Sequence, residues 1–249
     1  MENKQPSIYQ HPDLDGSTFF WPGNSTGILL THGFTATSVE VRQMAKYLSE
    51  KGFTVGGPLL PGHGKTVKDM NQVAWQDWVA AVDELYAELS TKCKKVFVIG
   101  ESMGALLSMV MTMRHPDIAG AMLFAPAMKV PQLAISEFIW PFKEYAFKKN
   151  VDESMEWQGF NVVPLRAASQ LVKLQRYVKK NIHLIKVPTL VFQGQLDQSI
   201  DPISSVLVLE GISSAEKELI WLEESSHCIL LDKQLPDVEK ICYEFITSH

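Results

Sequence analysis

The sequence predicts an α/β fold built around a mostly parallel sheet, and two patterns support this prediction. Short apolar runs alternate with amphipathic helical stretches over most of the 249 residues, as they do in repeated strand–helix–strand units. One of these runs, "KKVFVIG", is continuously apolar after its two lysines, which is typical of a strand buried on both faces of a parallel sheet. The chain is long enough to bury a sizeable core in one domain.

Strand and helix signals place the elements of the first half of the chain. Thr26–Gly33 is an apolar run that ends in glycine, and Ser38–Gly52 reads as a helix with a cap-type serine at its start and a glycine past its end. A short strand in "FTVGG" precedes a loop rich in glycine and proline. Trp75–Ser90 places its apolar residues on one helical face. The strand Lys95–Ile99 then leads into the helix Met103–Arg114.

The second half continues the alternation after an interruption. A strand in "AGAMLFAP" is followed by residues 129–186, which contain aromatic-rich and amphipathic helical pieces with internal prolines. A structureless loop of that length is improbable in a compact domain, so we interpret it as a small helical insertion. The strand "VPTLVFQG", a helix near Pro202, the strand "KELIWLEE" and a final amphipathic helix complete the pattern.

Composition limits the classes of partner and the cellular compartment that we expect for this protein. The formal net charge of −5 disfavours nucleic acid as the main partner, because binding phosphates requires clustered Lys and Arg. The three cysteines show no CxxC spacing, which argues against a disulfide framework or a zinc site and favours a reduced, cytoplasmic setting. We see no secretory signal and no apolar run long enough to span a membrane.

One serine lies between two glycines where the buried strand meets a helix. In "GESMG", Ser102 stands between Gly100 and Gly104. A serine at such a junction must turn the chain sharply so that its Oγ stands free at the strand end. Side chains two residues away would collide with the neighbouring strand and helix, and glycine removes that collision. An ordinary tight connection is the alternative, but the strand–helix setting favours a nucleophile.

A serine nucleophile needs a histidine base and a carboxylate that orients it. In open α/β sheets these groups lie at the carboxyl ends of strands, in the chain order serine, acid, histidine. Asp197 lies just beyond one late strand, and His227 follows the last strand. Asp201 immediately precedes Pro202 and fits a helix cap better. Ser102, Asp197 and His227 are therefore the predicted triad.

Acyl transfer also requires N–H donors for a developing oxyanion. The Met103 N–H lies at a helix N-terminus, directly after the candidate nucleophile. The second donor is expected from the loop "LLTHGFTAT", where Gly33 permits an unusual backbone and the Phe34 N–H can point into the site. A purely structural turn at His32–Gly33 is the alternative.

Five segments together resemble the α/β-hydrolase fold, and more closely the small bacterial carboxylesterases and monoacylglycerol lipases. These segments are "THGFT", "PGHG", "GESMG", "GQLDQSIDP" and "SSHCILLD". The resemblance covers nearly the whole chain, with the motifs in the order of the family. It implies that Ser102 is the nucleophile, Asp197 the triad acid and His227 the base, with Phe34 and Met103 in the oxyanion hole.

The resemblance also implies a domain organisation. Residues 1–128 and 187–249 would form the α/β-hydrolase core, and residues 129–186 a helical cap, or lid, over the acyl pocket. Aromatic residues of such a cap are candidates to line that pocket, although packing of the insertion onto the core explains them equally well. The predicted substrate-binding residues are Phe34, Phe138, Trp140 and Trp157.

These residues predict a serine carboxylester hydrolase for short- to medium-chain acyl esters, with monoacylglycerols as one candidate. An acyl-enzyme mechanism needs no metal or organic cofactor. The expected partner is a small-molecule ester or lipid, bound by a monomer or homodimer. The same triad would also serve a thioesterase, an amidase, an acyltransferase, a carbon–carbon hydrolase or a haloperoxidase-like side activity. A non-catalytic binding protein is disfavoured because no triad member is missing.

Overall fold

The computed structural model describes residues 8–148 and 155–249. Its strands are β1 (Tyr9–Gln10), β2 (Phe19–Trp21), β3 (Thr26–Thr31), β4 (Thr54–Gly57), β5 (Lys95–Glu101), β6 (Gly120–Phe124), β7 (Tyr145–Phe147), β8 (Gly159–Phe160), β9 (Val162–Pro164), β10 (Thr189–Gly194) and β11 (Lys217–Leu222). Its α-helices are α1 (Val39–Glu50), α2 (Val67–Gln72), α3 (Trp75–Lys92), α4 (Met103–Arg114), α5 (Ser136–Ile139), α6 (Leu165–Asn181), α7 (Ile203–Gly211) and α8 (Leu235–Ser248).

The central sheet has seven strands in the order β11–β10–β6–β5–β3–β4–β2. Neighbouring strands run parallel except at one edge, where β2 pairs antiparallel with β4. In the middle of the sheet, every residue of β5 after Lys95 is buried, which is why this strand is continuously apolar in sequence. The helices flank this sheet, so the predicted fold class is confirmed.

Parallel pairing brings the carboxyl ends of several strands to one edge of the sheet. The residues that follow β5, β10 and β11 therefore meet there. Helix α4, which starts at this edge, contacts β5 and β6 as well as helices α3 and α6. Its residues from Met103 to Thr112 are all buried, and this enclosure fixes the start of the helix where the site is built.

The inserted segment is less helical than the sequence predicts. Helix α5 has only four residues and ends at Ile139. Trp140 still has helical backbone angles, with φ −57° and ψ −28°, and Pro141 follows it. Strand β7 then pairs antiparallel with β9, and β8 pairs with β1 near the start of the described chain. The β-branched Val162 and Val163 favour such pairing. The predicted insertion and core also include residues 149–154 and 1–7, which lie outside the described residues.

Among the described residues of the insertion, 129–148 and 155–186, only helix α6 matches the helical expectation over a long range. One of its faces is buried, and it contacts α2, α3, α4 and α5. None of the helices in the two described ranges is long and apolar enough to cross a lipid bilayer.

Candidate active site

Ser102 stands on a sharp turn between β5 and α4. Its backbone has φ 57° and ψ −112°, a conformation that a non-glycine residue adopts only where the surrounding structure enforces it. A Cβ at Gly100 would lie 2.2 Å from the Gly104 carbonyl oxygen, and a Cβ at Gly104 would lie 2.0 Å from the Thr31 carbonyl oxygen. The two glycines therefore let β5, α4 and β3 approach closely enough to form the turn.

The structure brings Ser102, His227 and Asp197 together although they are far apart in sequence. His227 Nε2 lies 3.0 Å from Ser102 Oγ, and His227 Nδ1 lies 2.8 Å from Asp197 Oδ2. Ser102 follows β5, Asp197 follows β10 and His227 follows β11, all strands of the central sheet. The three side chains form one hydrogen-bonded series, as expected for a nucleophile, a base and an orienting acid.

Backbone and side-chain donors hold the Asp197 carboxylate. Its Oδ1 accepts from the N–H groups of Ser199 at 2.8 Å and Ile200 at 3.1 Å. Its Oδ2 accepts from Gln193 Nε2 at 3.1 Å, in addition to His227. Burial tends to raise the pKa of Asp197, but the His227 charge and these hydrogen bonds outweigh it, and the pKa is lowered. The acid therefore stays ionised at neutral pH.

The pKa of His227 is raised by the same pairing. Burial disfavours the imidazolium, but the Asp197 charge and its hydrogen bond outweigh burial. A histidine in this state can accept the serine proton and hold it as a stabilised imidazolium.

Asp201, the alternative acid, faces a different partner. Its Oδ1 accepts from the Ile203 N–H at 3.1 Å where α7 begins, and its Oδ2 lies 2.7 Å from Lys129 Nζ. The sequence predicts Asp201 as the N-cap with Pro202 as the first helical residue. In the structure the N-cap of α7 is Pro202, one position later, and Asp201 accepts from the first helical N–H from the position before it.

The loop after β3 passes beside Ser102, and His32 orients this loop. His32 Nε2 accepts from the Leu60 N–H at 3.1 Å, so the proton lies on Nδ1, which donates to the Gly33 carbonyl at 2.9 Å. Burial lowers the pKa of His32 to about 4, so the ring is neutral. Because a trans peptide unit is planar, the Phe34 N–H points away from the Gly33 carbonyl and thus away from His32.

The "PGHG" loop packs against the loop after β3 through His63. The buried His63 ring packs against the rings of His32, Phe34 and Trp78, at centroid separations of 5.0, 6.4 and 5.9 Å. Its Nδ1 lies 3.2 Å from the Pro61 carbonyl, which also accepts from Trp78 Nε1. His63 therefore contacts the loop after β3 through the rings of His32 and Phe34.

A cavity of about 670 Å³ opens at Ser102 and His227. Phe34 and Trp157 line it, whereas Phe138 and Trp140 do not. Phe138 is 77% exposed and Trp140 39% exposed. The cavity wall is mixed in polarity and also includes Gln10, Glu40, Lys148, Met155, Leu196 and Cys228.

Two charged residues at this cavity, Glu40 and Lys148, are not predicted by the sequence patterns. Glu40 is buried in the first turn of α1 and lines the cavity together with Lys148. Acidic residues are common in the first turn of a helix because they interact favourably with the helix dipole. The sequence position of Glu40 therefore does not indicate a role at the cavity. Lys148 carries no motif. Burial lowers its pKa to about 8.

The Cys228 thiol and possible metal-binding groups are the other features to consider near the site. Burial raises the pKa of the Cys228 thiol well above its usual range, so it stays protonated. Within residues 8–148 and 155–249, no group of three His, Cys, Asp or Glu side chains is arranged to hold a metal ion.

Comparison with known proteins places this geometry in a family. Residues 24–151 and 157–234 match the family model described as serine aminopeptidase, S33. A thermostable monoacylglycerol lipase from Bacillus sp. (strain H-257) is 32% identical, over 96% of this chain and 98% of that protein. A carboxylesterase from Bacillus subtilis (strain 168) is 28% identical, over 92% of this chain and 95% of that protein.

A solved structure supports the same relationship. It comes from work on LipS and LipT, two metagenome-derived lipolytic enzymes, and superposes with a TM-score of 0.90 at 28% identity. The match covers 94% of this chain and 98% of the other. The likeness therefore extends over nearly the whole fold.

Proposed function

The chain belongs to the S33 serine aminopeptidase family, and from that premise we propose a serine carboxylester hydrolase that uses Ser102, Asp197 and His227. It is an α/β-hydrolase of the carboxylesterase-like type. The observation that carries the proposal is the hydrogen-bonded series from Asp197 Oδ2 through the imidazole to Ser102 Oγ, at 2.8 and 3.0 Å. That series supplies the proton path that a hydroxyl nucleophile requires.

In the first half-reaction, Ser102 Oγ attacks the ester carbonyl carbon while His227 Nε2 takes the hydroxyl proton. Asp197 keeps the remaining ring proton on Nδ1 and stabilises the imidazolium. The tetrahedral intermediate collapses, the proton passes from Nε2 to the alcohol oxygen, and the alcohol leaves. The acyl group is then bonded to Ser102.

In the second half-reaction, water replaces the alcohol. His227 takes a proton from the water, whose oxygen attacks the acyl carbonyl, and the acid leaves as Ser102 recovers its proton. In both steps the oxyanion would be held by the N–H groups of Phe34 and Met103. The outward orientation of the Phe34 N–H relative to His32, and the position of Met103 at the start of α4, support this role.

The substrate class follows from the cavity and the relatives. A volume of about 670 Å³ is within the range of sites that hold small organic ligands. We therefore favour short- to medium-chain acyl esters, and a monoacylglycerol fits because a polar alcohol would meet the mixed wall. Residues 129–186 would act as the cap, since Lys148, Met155 and Trp157 line the cavity from that segment.

The test is a chain-length series of p-nitrophenyl esters, from acetate to palmitate, with wild type and Ser102→Ala. We expect turnover of short or medium esters and a loss of about 10⁴-fold or more in kcat for Ser102→Ala. A p-nitroanilide and a thioester of the preferred acyl group should be cleaved much less efficiently. If folded wild-type protein cleaves no ester, or if Ser102→Ala retains activity, the proposal fails. Preferential cleavage of the anilide would favour an amidase instead.

A further inference from the structure

The buried carboxylate of Glu40 joins two parts of the molecule that meet at the active site. Glu40 is 4% exposed. Its Oε2 accepts from the Gly33 N–H at 2.5 Å, and its Oε1 accepts from Trp157 Nε1 at 3.1 Å. Gly33 belongs to the loop after β3, and Trp157 belongs to the inserted segment. Each carboxylate oxygen is thus used by a different partner.

Gly33 is in close contact with both Glu40 and the nucleophile. A Cβ at Gly33 would lie 3.0 Å from Glu40 Oε2 and 3.2 Å from the Cβ of Ser102. The Glu40 carboxylate and Ser102 therefore both lie close to the side of Gly33 where a Cβ would stand. A shift of the carboxylate would move the His32–Gly33 peptide unit, which directly precedes the unit that carries the Phe34 N–H.

We propose that Glu40 is a positioning residue that fixes the loop after β3, which carries the Phe34 N–H of the proposed oxyanion hole, and links the geometry of that loop to the inserted segment through Trp157. The inference rests on the proposed esterase function. Glu40 makes no bond to substrate and moves no proton in this role. It holds the Gly33 N–H while His32 holds the Gly33 carbonyl, so that Gly33 is restrained on both sides.

A second residue of the inserted segment contacts the same loop. Lys148 Nζ lies 4.4 Å from the centre of the Trp157 ring and donates to Thr35 Oγ1 at 2.7 Å. Thr35 has φ 69°, a left-handed backbone that its surroundings must maintain. Its carbonyl accepts from the Phe160 N–H at 2.9 Å. The loop is therefore fastened to residues on both sides of 149–154.

The chemistry of the two donors explains why a carboxylate suits this position. Two N–H groups donate to Glu40, one to each oxygen, and the Cys228 Sγ lies 4.0 Å from Oε1. Burial raises the pKa of Glu40, and the two N–H donors oppose that shift because they favour the ionised carboxylate. A glutamine would place its own NH₂ group against one of these donors. The ordinary role of a first-turn acid, interaction with the helix dipole, requires neither burial nor these two partners.

The experiment compares Glu40→Gln and Trp157→Phe with wild type. Glu40→Gln keeps the shape of the side chain, and Trp157→Phe keeps an aromatic ring but removes the Nε1–H. Glu50→Gln is the matched control, because Glu50 is an exposed residue of the same helix. For each variant we would measure kcat, KM, the thermal midpoint and the Ki of an alkyl trifluoromethyl ketone. The serine adduct of that ketone carries an oxyanion.

We expect Glu40→Gln to lower kcat by about 10- to 100-fold, less than complete loss of an oxyanion donor, with KM changed by less than about 2-fold. The Ki of the ketone should rise by the factor by which kcat/KM falls. Trp157→Phe should give a smaller loss of the same kind, and Glu50→Gln none. Because Trp157 acts through Glu40, the double variant should lose less than the product of the two single effects.

A lower thermal midpoint with unchanged kcat and Ki would assign Glu40 a merely structural role and overturn the inference. If Glu40→Gln does not fold, Trp157→Phe decides, and wild-type kcat and Ki in that variant would overturn it. Failure of the esterase proposal gives a different result, in which wild type lacks ester turnover or Ser102→Ala retains it.

Discussion

The carboxyl edge of the central sheet and the inserted segment differ in what determines their side-chain positions. At the sheet edge, Ser102, Asp197 and His227 follow buried or partly buried strands and converge within hydrogen-bond distance. In the insertion, Phe138 and Phe142 are 77% and 90% exposed despite their apolar character. Strand order and burial thus specify a site more sharply than the number of aromatic residues in a segment does.

The largest expected difference in kcat is between two substitutions in the loop after β10, one at Asp197 and one at Asp201. Asp197→Asn should lower kcat by up to about 10⁴-fold without unfolding, because the amide favours the wrong tautomer of His227. Asp201→Asn should leave kcat close to wild type, since its carboxylate faces Lys129 and the start of α7. Steady-state kinetics of both variants on one ester provide the measurement. Near-normal turnover in folded Asp197→Asn would contradict the assignment.

The sheet edge should also be intolerant of small changes in volume. In Gly104→Ala the new Cβ would lie 2.0 Å from the Thr31 carbonyl oxygen, and the backbone cannot easily withdraw. We expect a loss of about 3 kcal/mol or more in the free energy of unfolding, or failure to fold.

Gly56→Ala is the matched control for that substitution. Its Cβ would lie 3.3 Å from Leu85 Cδ2, the end of a flexible side chain, so the cost should be about 1 kcal/mol or less. Denaturant unfolding of both variants measures the difference. Equal stabilities would show that the turn at Ser102 does not depend on close backbone approach.

A pH profile tests the electrostatics of the same edge. Burial opposes protonation of His227, but Asp197 outweighs it and raises the pKa of the imidazole. Because the base must be neutral to act, kcat/KM should fall with decreasing pH along a limb centred above about 6.5. In Asp197→Asn the attraction is lost while burial remains, so the limb should move to lower pH. A limb that stays in place or rises would contradict this cause.

The smallest expected effects lie in the insertion. Phe138→Ala and Trp140→Ala should change kcat and KM for a short p-nitrophenyl ester by less than about 2-fold, because neither side chain lines the cavity. Their free energies of unfolding should change by no more than about 0.5–1 kcal/mol. A large rise in KM would show that these side chains reach the substrate, as the sequence predicts for them.

Much of the fold is predictable from the sequence because buried strands and helices show a characteristic spacing of apolar residues. The apolar run of β5 and the one-sided apolar pattern of α3 follow directly from the layers that cover them. The positions of Asp197 and His227 are also predictable, since strand ends in a parallel sheet lie at one edge. Their roles, and those of Phe34 and Met103, stay predictions until kinetics test them.

Other features depend on contacts that no local pattern records. The pairing of β7 with β9 joins short segments without alternating polarity. Glu40 resembles any acidic residue in a first helical turn, and only the positions of Gly33 and Trp157 around it reveal its two bonds. The sequence predicts that Trp157 contacts substrate. Its ring does line the cavity, but its Nε1–H is bound to Glu40.

The most direct test of the central claim is covalent labelling with an alkyl fluorophosphonate, followed by mass analysis of the peptides. We predict one adduct per chain, located on Ser102, with loss of ester hydrolysis in proportion to labelling. Labelling should be absent in Ser102→Ala and much slower in Asp197→Asn. An adduct on another residue, or ester hydrolysis that survives complete labelling of Ser102, would contradict the assignment of Ser102 as the nucleophile.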